Sequence, residues 1–159
     1  MNVSVGAAPG KGQGVFAAKH FGTGDLILEF ESGPIVDRAG LGRLDAWERE
    51  HLAEVGVGLW RVLPEPRCYV NHACEPNAVS TASAVFALRD IAARDEITID
   101  YRLNAYADPD PVVARCVCDP ARGPHEFICD FFSLPDETQV RYLEWAPAFI
   151  KEMYAQRRA

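Results

Sequence analysis

Apolar residues come in short runs along this chain, and glycine or proline closes most of them. Val15-Phe16-Ala17-Ala18 and Leu26-Ile27-Leu28-Glu29-Phe30 read as two strands divided by the turn Gly22-Thr23-Gly24-Asp25. Gly33-Pro34 breaks the second, and Ile35-Val36 resumes an extended path. The stretch 41–49 reads as a short helix or an irregular connection. Residues 51–57 and 58–63 read as a strand pair joined near Gly56 and Gly58. Ala84 to Leu88 is a further strand. Ile97-Thr98-Ile99-Asp100-Tyr101 alternates with period two and is another.

Three stretches lack such a pattern. Residues 68–77, Cys-Tyr-Val-Asn-His-Ala-Cys-Glu-Pro-Asn, are too polar for a regular element. Asp108-Pro109-Asp110-Pro111 reads as a loop. The cysteine-containing stretch 116–129 holds Gly123 and Pro124 and has little intrinsic structure. Helix signals gather at the end. Pro135 precedes Asp136 and Glu137, acids that suit a helix N-terminus. Val140, Leu143, Ile150 and Met153 supply an apolar stripe that Pro147 interrupts. The pattern predicts a mainly β domain with short helices and a C-terminal helix. Strand order does not follow from it.

Composition narrows the class. The 159 residues are 48% hydrophobic and 25% charged, which fits one domain with a core of its own. No window approaches the roughly 18 apolar residues of a membrane span. The first residues are small and glycine-rich, without the apolar run of a secretion signal. The expected setting is cytoplasmic, or nuclear in a eukaryote. With 16 basic and 23 acidic residues, the net charge of −7 argues against a phosphate-driven grip on nucleic acid. It suits a basic partner, such as a lysine-rich protein tail.

Candidate chemistry sits in four places. Gly10-x-Gly12-x-Gly14 has the wrong spacing for a dinucleotide fingerprint, and a strand follows it where that motif needs a helix. His72 and Cys74, two residues apart, suit a thiol nucleophile or a metal site. Asp100-Tyr101 ends a strand. The odd count of five cysteines argues against a disulfide framework, and Cys116-x-Cys118 points toward a metal. Each signal alone is weak.

Together and in order they are specific. Gly12-Gln13-Gly14-Val15-Phe16-Ala17 is followed by Ile27-Leu28-Glu29-Phe30 and by Asn71-His72-Ala73-Cys74-Glu75-Pro76-Asn77. Then come Ala87-Leu88-Arg89-Asp90-Ile91, Asp95-Glu96-Ile97-Thr98-Ile99-Asp100-Tyr101 and Cys116-Val117-Cys118. This series resembles the SET-domain family of protein lysine methyltransferases over residues 10–134, with a loose match across 36–66. The resemblance divides the chain into a SET domain at 1–115, a post-SET-like segment at 116–134 and a helical tail at 135–159.

The resemblance implies a fold of small curved β-sheets with a knot-like crossing that brings Asn71-His72 and Tyr101 together. It implies an S-adenosylmethionine-dependent protein lysine N-methyltransferase. The donor would lie against Lys11, Gly12 and Gln13, with Asn71 and His72 bonding its polar ends. His51 falls where relatives often place a Tyr against the donor. Tyr101 would act at the reacting centre, and a lysine-bearing protein would enter through an apolar channel from the opposite face. By the same resemblance, Cys74, Cys116 and Cys118 are three ligands of one zinc. Gly123 replaces the usual fourth cysteine, so Cys129 or His125 is left to complete the site. Ile99 stands where relatives often carry Phe or Tyr to limit the methyl count, which implies di- or trimethyl product. Two other classes stay open: a catalytically silent SET fold that binds a peptide or protein, and a small zinc-binding interaction domain.

Overall fold

The computed structural model describes residues 2–31, 33–106, 111–119, 121 and 123–159, and the expected loop at 108–111 lies largely outside them. Among the described residues, twelve strands make four small sheets, with few and short helices. Strands β1 (Val3–Ala8) and β2 (Gly12–Ala17) form an antiparallel hairpin in which Ala8 faces Gly12. Gly10 and Gly12 take φ of 73° and 82°, a region costly for any residue with a Cβ, which is why this tight turn is glycine-rich. β1 is absent from the sequence expectation because Gly6, Ala7 and Ala8 carry little strand propensity.

Next come β3 (Leu26–Glu29), β4 (Ile35–Asp37), α1 (Arg38–Leu41), α2 (Ala46–Glu50), β5 (Leu52–Gly56) and β6 (Leu59–Val62). The expected connection at 41–49 is thus two short helices, the second held by an Asp45–Glu48 capping box. Strands β4, β6 and β5 make a separate sheet in that order. The chain continues through β7 (Asn71–His72), β8 (Ala78–Ser80), β9 (Ala84–Ala87) and β10 (Glu96–Ile99). β3, β9 and β8 form the third sheet, and β11 (Val113–Cys116) pairs with β12 (His125–Ile128) as the fourth. The 116–129 stretch therefore does hold a strand at each end of its loop, where the sequence suggested none. The turn signals at Gly123 and Pro124 mark the loop and hide the short strands beside it.

β10 organises the molecule. It pairs antiparallel with β2 on one side and parallel with β7 on the other, Thr98 facing Asn71 and Ile99 facing His72. Asn77 extends this contact without being in a strand. Its amide donates to the Glu96 carbonyl at 2.8 Å, and its Oδ1 accepts from the Thr98 N–H at 2.8 Å. Residues 71–77 thus run along a strand that comes much later in the chain, and this pairing brings Asn71-His72 beside the strand that leads to Tyr101. The strand expected at 97–101 ends at Ile99. Asp100 caps a 3₁₀ turn over Tyr101–Asn104 by accepting from the Arg102 N–H.

Val15, Phe21, Ile27, Val85, Ile91, Ile97 and Ile99 form the main core between the sheets. A second cluster joins Val79 and Leu103 to Phe131, Leu134, Ala146 and Ile150 of the C-terminal part. There, α3 (Asp136–Tyr142) and α4 (Ala148–Arg157) are separated at Pro147, as the sequence suggested. Within the expected stripe Ile150 is buried but Val140 is 58% exposed. Gln139 turns inward instead, donating to the Leu134 carbonyl at 2.7 Å. No helix among the described residues is long and apolar enough to cross a membrane.

Asn77→Ala is expected to strand the buried Thr98 N–H and Glu96 carbonyl and to cost about 2–4 kcal/mol. Urea titration reads this as a lower midpoint, and a shift well below 1 kcal/mol would show that the pairing stands without the clamp.

Candidate active site

The glycine loop, β7 and β10 build one polar corner. Asn71 lies on β7, and its side-chain amide donates to the Gln13 carbonyl at 2.7 Å and to Glu96 Oε1 at 2.8 Å. The other carboxylate oxygen of Glu96 accepts from Lys11 Nζ at 2.7 Å. Gly14 allows this packing. A Cβ there would come within 2.9 Å of the Ala8 Cβ, 3.0 Å of Glu96 Oε1 and 3.2 Å of Asn71 Nδ2. Both amide hydrogens of Asn71 are engaged, so Oδ1 is left as an acceptor. Lys11, Gln13 and Asn71 are thereby brought together, with Glu96 as the residue the sequence reading missed.

His72 and Tyr101 meet next to this corner. The Tyr101 N–H donates to His72 Nδ1 at 3.2 Å, and the two rings lie 5.4 Å apart. Nδ1 is thus the acceptor nitrogen and the proton sits on Nε2. Burial pulls the His72 imidazole down to about 4, against the opposing pull of Asp100, so the ring is neutral at pH 7. Phe127 of β12 stacks on it with centroids 4.1 Å apart. The Tyr101 hydroxyl donates to the Val70 carbonyl at 3.0 Å, and burial above all pushes that phenol upward. Asp100, 3% exposed, is paired with Arg102 at 2.6 Å, which holds the turn that aims Tyr101.

On the other side of Tyr101 lies a cavity of about 590 Å³. Leu52, Trp60, Val70, Ile99 and Val112 make much of its wall apolar, and Tyr101, Glu54, His51 and Arg67 add polar groups. His51 is therefore not brought to the glycine loop. Its Nδ1 lies 2.7 Å from the Trp47 carbonyl, and its ring packs on Trp47 and meets Tyr69 edge-on. Arg67 is 5% exposed, and burial lowers its guanidinium to about 10. Glu54 reaches this wall from β5 and accepts from the Tyr106 N–H at 2.6 Å.

The thiols form a third group. Cys74 Sγ lies 3.8 Å from Cys116 Sγ, 3.5 Å from His72 Nε2 and 3.2 Å from His125 Nε2. The N–H groups of Cys74 and Cys118 point at the sulfurs of Cys118 and Cys116, at 3.5 and 3.3 Å. Burial, and then the neighbouring Cys116, push the Cys74 thiol up to about 12. Ligand atoms of His72, Cys74 and Cys116 all lie within 4.8 Å of one another. Tetrahedral zinc with its usual bond lengths spaces two sulfurs about 3.8 Å apart and a sulfur and a nitrogen about 3.5 Å apart, so these donors fit. The tautomers separate the two imidazoles. His72 Nε2 carries a proton, whereas His125 Nδ1 lies 3.3 Å from the Gly123 carbonyl, an arrangement that leaves Nε2 as the lone-pair donor. Cys129 is elsewhere. Cys116 pairs with His125, so Cys129 lies four residues further along, roughly 13 Å away at strand rise, and lines the cavity beside Tyr101.

Glu54 carries a direct signature of its surroundings. Burial is the largest cause lifting its carboxyl from 4.5 to about 7; the Tyr106 N–H opposes that, and Asp130 adds to it. Between these values the folded protein keeps a proton that the unfolded chain has lost, so the group erodes stability as pH rises through the window. Glu54→Gln keeps an acceptor for Tyr106 and removes the titration. It is expected to match the parent near pH 4 and to exceed it by about 1–2 kcal/mol near pH 8, allowing for solvent screening. Parallel urea-stability curves for the two proteins across that range would show that the carboxyl is not held in this environment.

Known proteins show the same elements. Residues 12–102 match the SET domain family model. Histone-lysine N-methyltransferase ATX2 of Arabidopsis thaliana is 32% identical over 118 residues, covering 57% of this chain. A variant-silencing SET domain-containing protein of Plasmodium falciparum is 27% identical over 114 residues, covering 58%. The chain spans only 10% and 4% of the lengths of these two relatives. Among solved structures, a candidate histone methyltransferase of Plasmodium falciparum superposes with TM-score 0.51 at 20% identity, over 63% of this chain and 92% of that one. A chain of an active polycomb repressive complex 2 in its basal state gives 0.53 at 22%, over 62% and 15%. These two likenesses concern the fold, a set of small sheets with few short helices. With its glycine loop, its Asn-His strand and its terminal tyrosine inside the matched region, this chain belongs to the SET-domain family.

Proposed function

We propose that the protein transfers methyl groups from S-adenosylmethionine to the side-chain amine of lysine in a protein substrate. The observation that carries this is the position of Tyr101, which lies between the polar corner of Lys11, Gln13 and Asn71 and the wall of a largely apolar cavity. The donor, when bound, supplies a sulfonium methyl as the electrophile. The corner fits its amino-acid end. Asn71 Oδ1 is free to accept from an ammonium, Lys11 offers a cation to a carboxylate, and Gly12 removes a Cβ from the approach. The cavity fits an aliphatic lysine stem. Tyr101 spends its proton on the Val70 carbonyl, so its oxygen presents lone pairs where a methyl gains positive charge. The net negative charge suits a basic protein segment as acceptor, in line with the similarity to a histone-lysine N-methyltransferase.

Purified protein incubated with S-adenosylmethionine and a lysine-rich protein mixture should bind the donor and leave methylated lysines visible by mass spectrometry. Ile99, fully buried on the cavity wall, has neither ring nor hydroxyl to crowd the amine, so di- or trimethyl-lysine is the expected product. Tyr101→Phe should keep donor affinity and lose roughly 10²–10³-fold in turnover. Donor binding without transfer by the parent protein would leave a silent peptide-binding fold; stoichiometric zinc with no donor binding would leave an interaction domain.

We propose further that Cys74, Cys116, Cys118 and His125 hold one structural zinc that ties the β11–β12 hairpin to β7. The Cys74–Cys116 spacing, the approach of His125 Nε2 to Cys74 and the His125 tautomer support His125 over Cys129 as the fourth ligand, while Cys118 enters the set through its contact with the Cys74 N–H. Metal analysis of protein purified without chelator should find about one zinc per chain. His125→Ala should lose the metal and lower the melting temperature, while Cys129→Ala should retain it. A metal-free parent protein, or retention by the His125 variant, would rule this set out.

A further inference from the structure

Lysine reaches any methyl donor as an ammonium, with a free pKa of about 10.4, and only the neutral amine is nucleophilic. The sequence offers no motif for a proton acceptor. The fold brings one to the cavity from outside every recognised motif: Glu54, on an edge strand of the β4–β6–β5 sheet, shares its wall with Tyr101 and Ile99. β5 packs against the 3₁₀ turn that begins at Tyr101. One carboxylate oxygen is tethered by the Tyr106 N–H, and the other has no hydrogen-bond partner among the described residues. Leu52, Val57, Trp60, Val70 and Ile99 line the same cavity, and burial is the largest cause that disfavours the ionised Glu54 carboxylate there.

We infer that Glu54 is the proton acceptor for the substrate amine, taking its proton directly or through one water in this cavity. The inference rests on the methyl-transfer reading. In the first step an N–H bond of the ammonium breaks and an O–H bond forms on Glu54, giving a neutral amine and a neutral carboxylic acid. In the second the nitrogen lone pair forms the N–C bond, the C–S bond breaks and its electron pair stays on sulfur. The methylated product leaves as an ammonium, and Glu54 returns its proton to solvent at the cavity mouth.

The electrostatics of the wall favour this order. A low-polarity cavity prefers a neutral amine and acid to an ion pair, so burial lowers the ammonium and raises the carboxyl toward each other. Glu54 has already moved to about 7 in the free protein. The buried cation of Arg67 stands on the same wall and disfavours a second positive charge there. Among the described residues, the other charged or titratable groups facing the cavity are Arg38 and Arg49, Glu50, His51, the Tyr106 phenol, and the thiols of Cys68 and Cys129, both lifted to about 11 by burial. Asp130 acts on Glu54 as a like charge. Histidine as a class titrates near neutrality, so His51 is the control.

The test is the pH profile of turnover at saturating donor and acceptor for the parent, Glu54→Gln and His51→Gln, with donor affinity measured on each by calorimetry. The parent should gain turnover as pH rises, with a midpoint near 7. Glu54→Gln keeps the Tyr106 tether, so it should bind donor within about twofold. It should lose roughly 10²-fold in turnover at pH 7 and show only the later rise set by lysine itself. His51→Gln should keep the midpoint near 7. A Glu54→Gln profile with the parental midpoint, whatever its height, overturns the inference. So does loss of donor binding in that variant, which would mark Glu54 as a structural tether. An inactive parent protein overturns the methyl-transfer reading and this inference with it, whereas an active parent with an unchanged variant overturns this inference alone.

Discussion

Everything at this site hangs on one strand lying between two partners that come from separate earlier parts of the chain, one antiparallel to it and one parallel. β10 is hydrogen-bonded to the glycine hairpin on one edge and to Asn71-His72 on the other. A parallel pair needs a long crossover. Here the crossover between β7 and β10 contains the β8–β9 hairpin and Ile91, which is bridged to the buried Phe21 from an earlier part of the chain. The ordering entropy of such a connection must be met before any of its contacts form. Asn77 helps meet it by offering β10 a donor and an acceptor in place of a neighbouring strand. Two residues of β7 then suffice to place His72 beneath Tyr101.

That placement makes the two sides of Tyr101 chemically different. The side of Lys11, Asn71 and Glu96 is a network of charged hydrogen bonds, with each group's geometry set by the next. The other side is a largely apolar cavity, in which an ionised group has little to solvate it. On the proposed methyl-transfer reading, a zwitterionic methionine end would suit the first side and an aliphatic amine the second. The same segment borders both sides, since Val70 lines the cavity and accepts from Tyr101 while the adjacent Asn71 faces the glycine loop. Alternation along an extended chain sends successive side chains to opposite faces, which is how adjacent residues reach both sides.

Sequence order alone exposed much of this. The glycine loop, Asn71-His72 and Asp100-Tyr101 are local motifs, and locality is what a sequence displays. β1 stayed hidden because its small residues carry no strand signal, and β11 and β12 because turn residues dominate the stretch between them. Glu96, Phe127 and Glu54 were missed for another reason. Each is an ordinary residue on an ordinary strand until a partner from a distant segment meets it: Asn71 for Glu96, His72 for Phe127, Tyr106 for Glu54. His51 shows the converse case. A loose match assigned it to the donor side, while the α2 cap and its contact with the Trp47 carbonyl hold it on the cavity side.

The proposed fourth metal ligand illustrates why register decides what spacing leaves open. From sequence, His125 and Cys129 are equivalent, each a donor a short loop beyond Cys118. Pairing β11 with β12 removes the equivalence at once. Cys116 faces His125 across the ladder, and Val113 faces Ile128, so the hairpin delivers its two ends to different places. The Cys116 end meets Cys74 next to β7, where thiols and an imidazole gather around one point. The Cys129 end meets the cavity, where the same type of side chain becomes part of its wall. A hairpin fixed at its Cys116 end by a metal would set the position of that wall at the other, so zinc and acceptor binding would be coupled through strand rigidity without sharing a single atom.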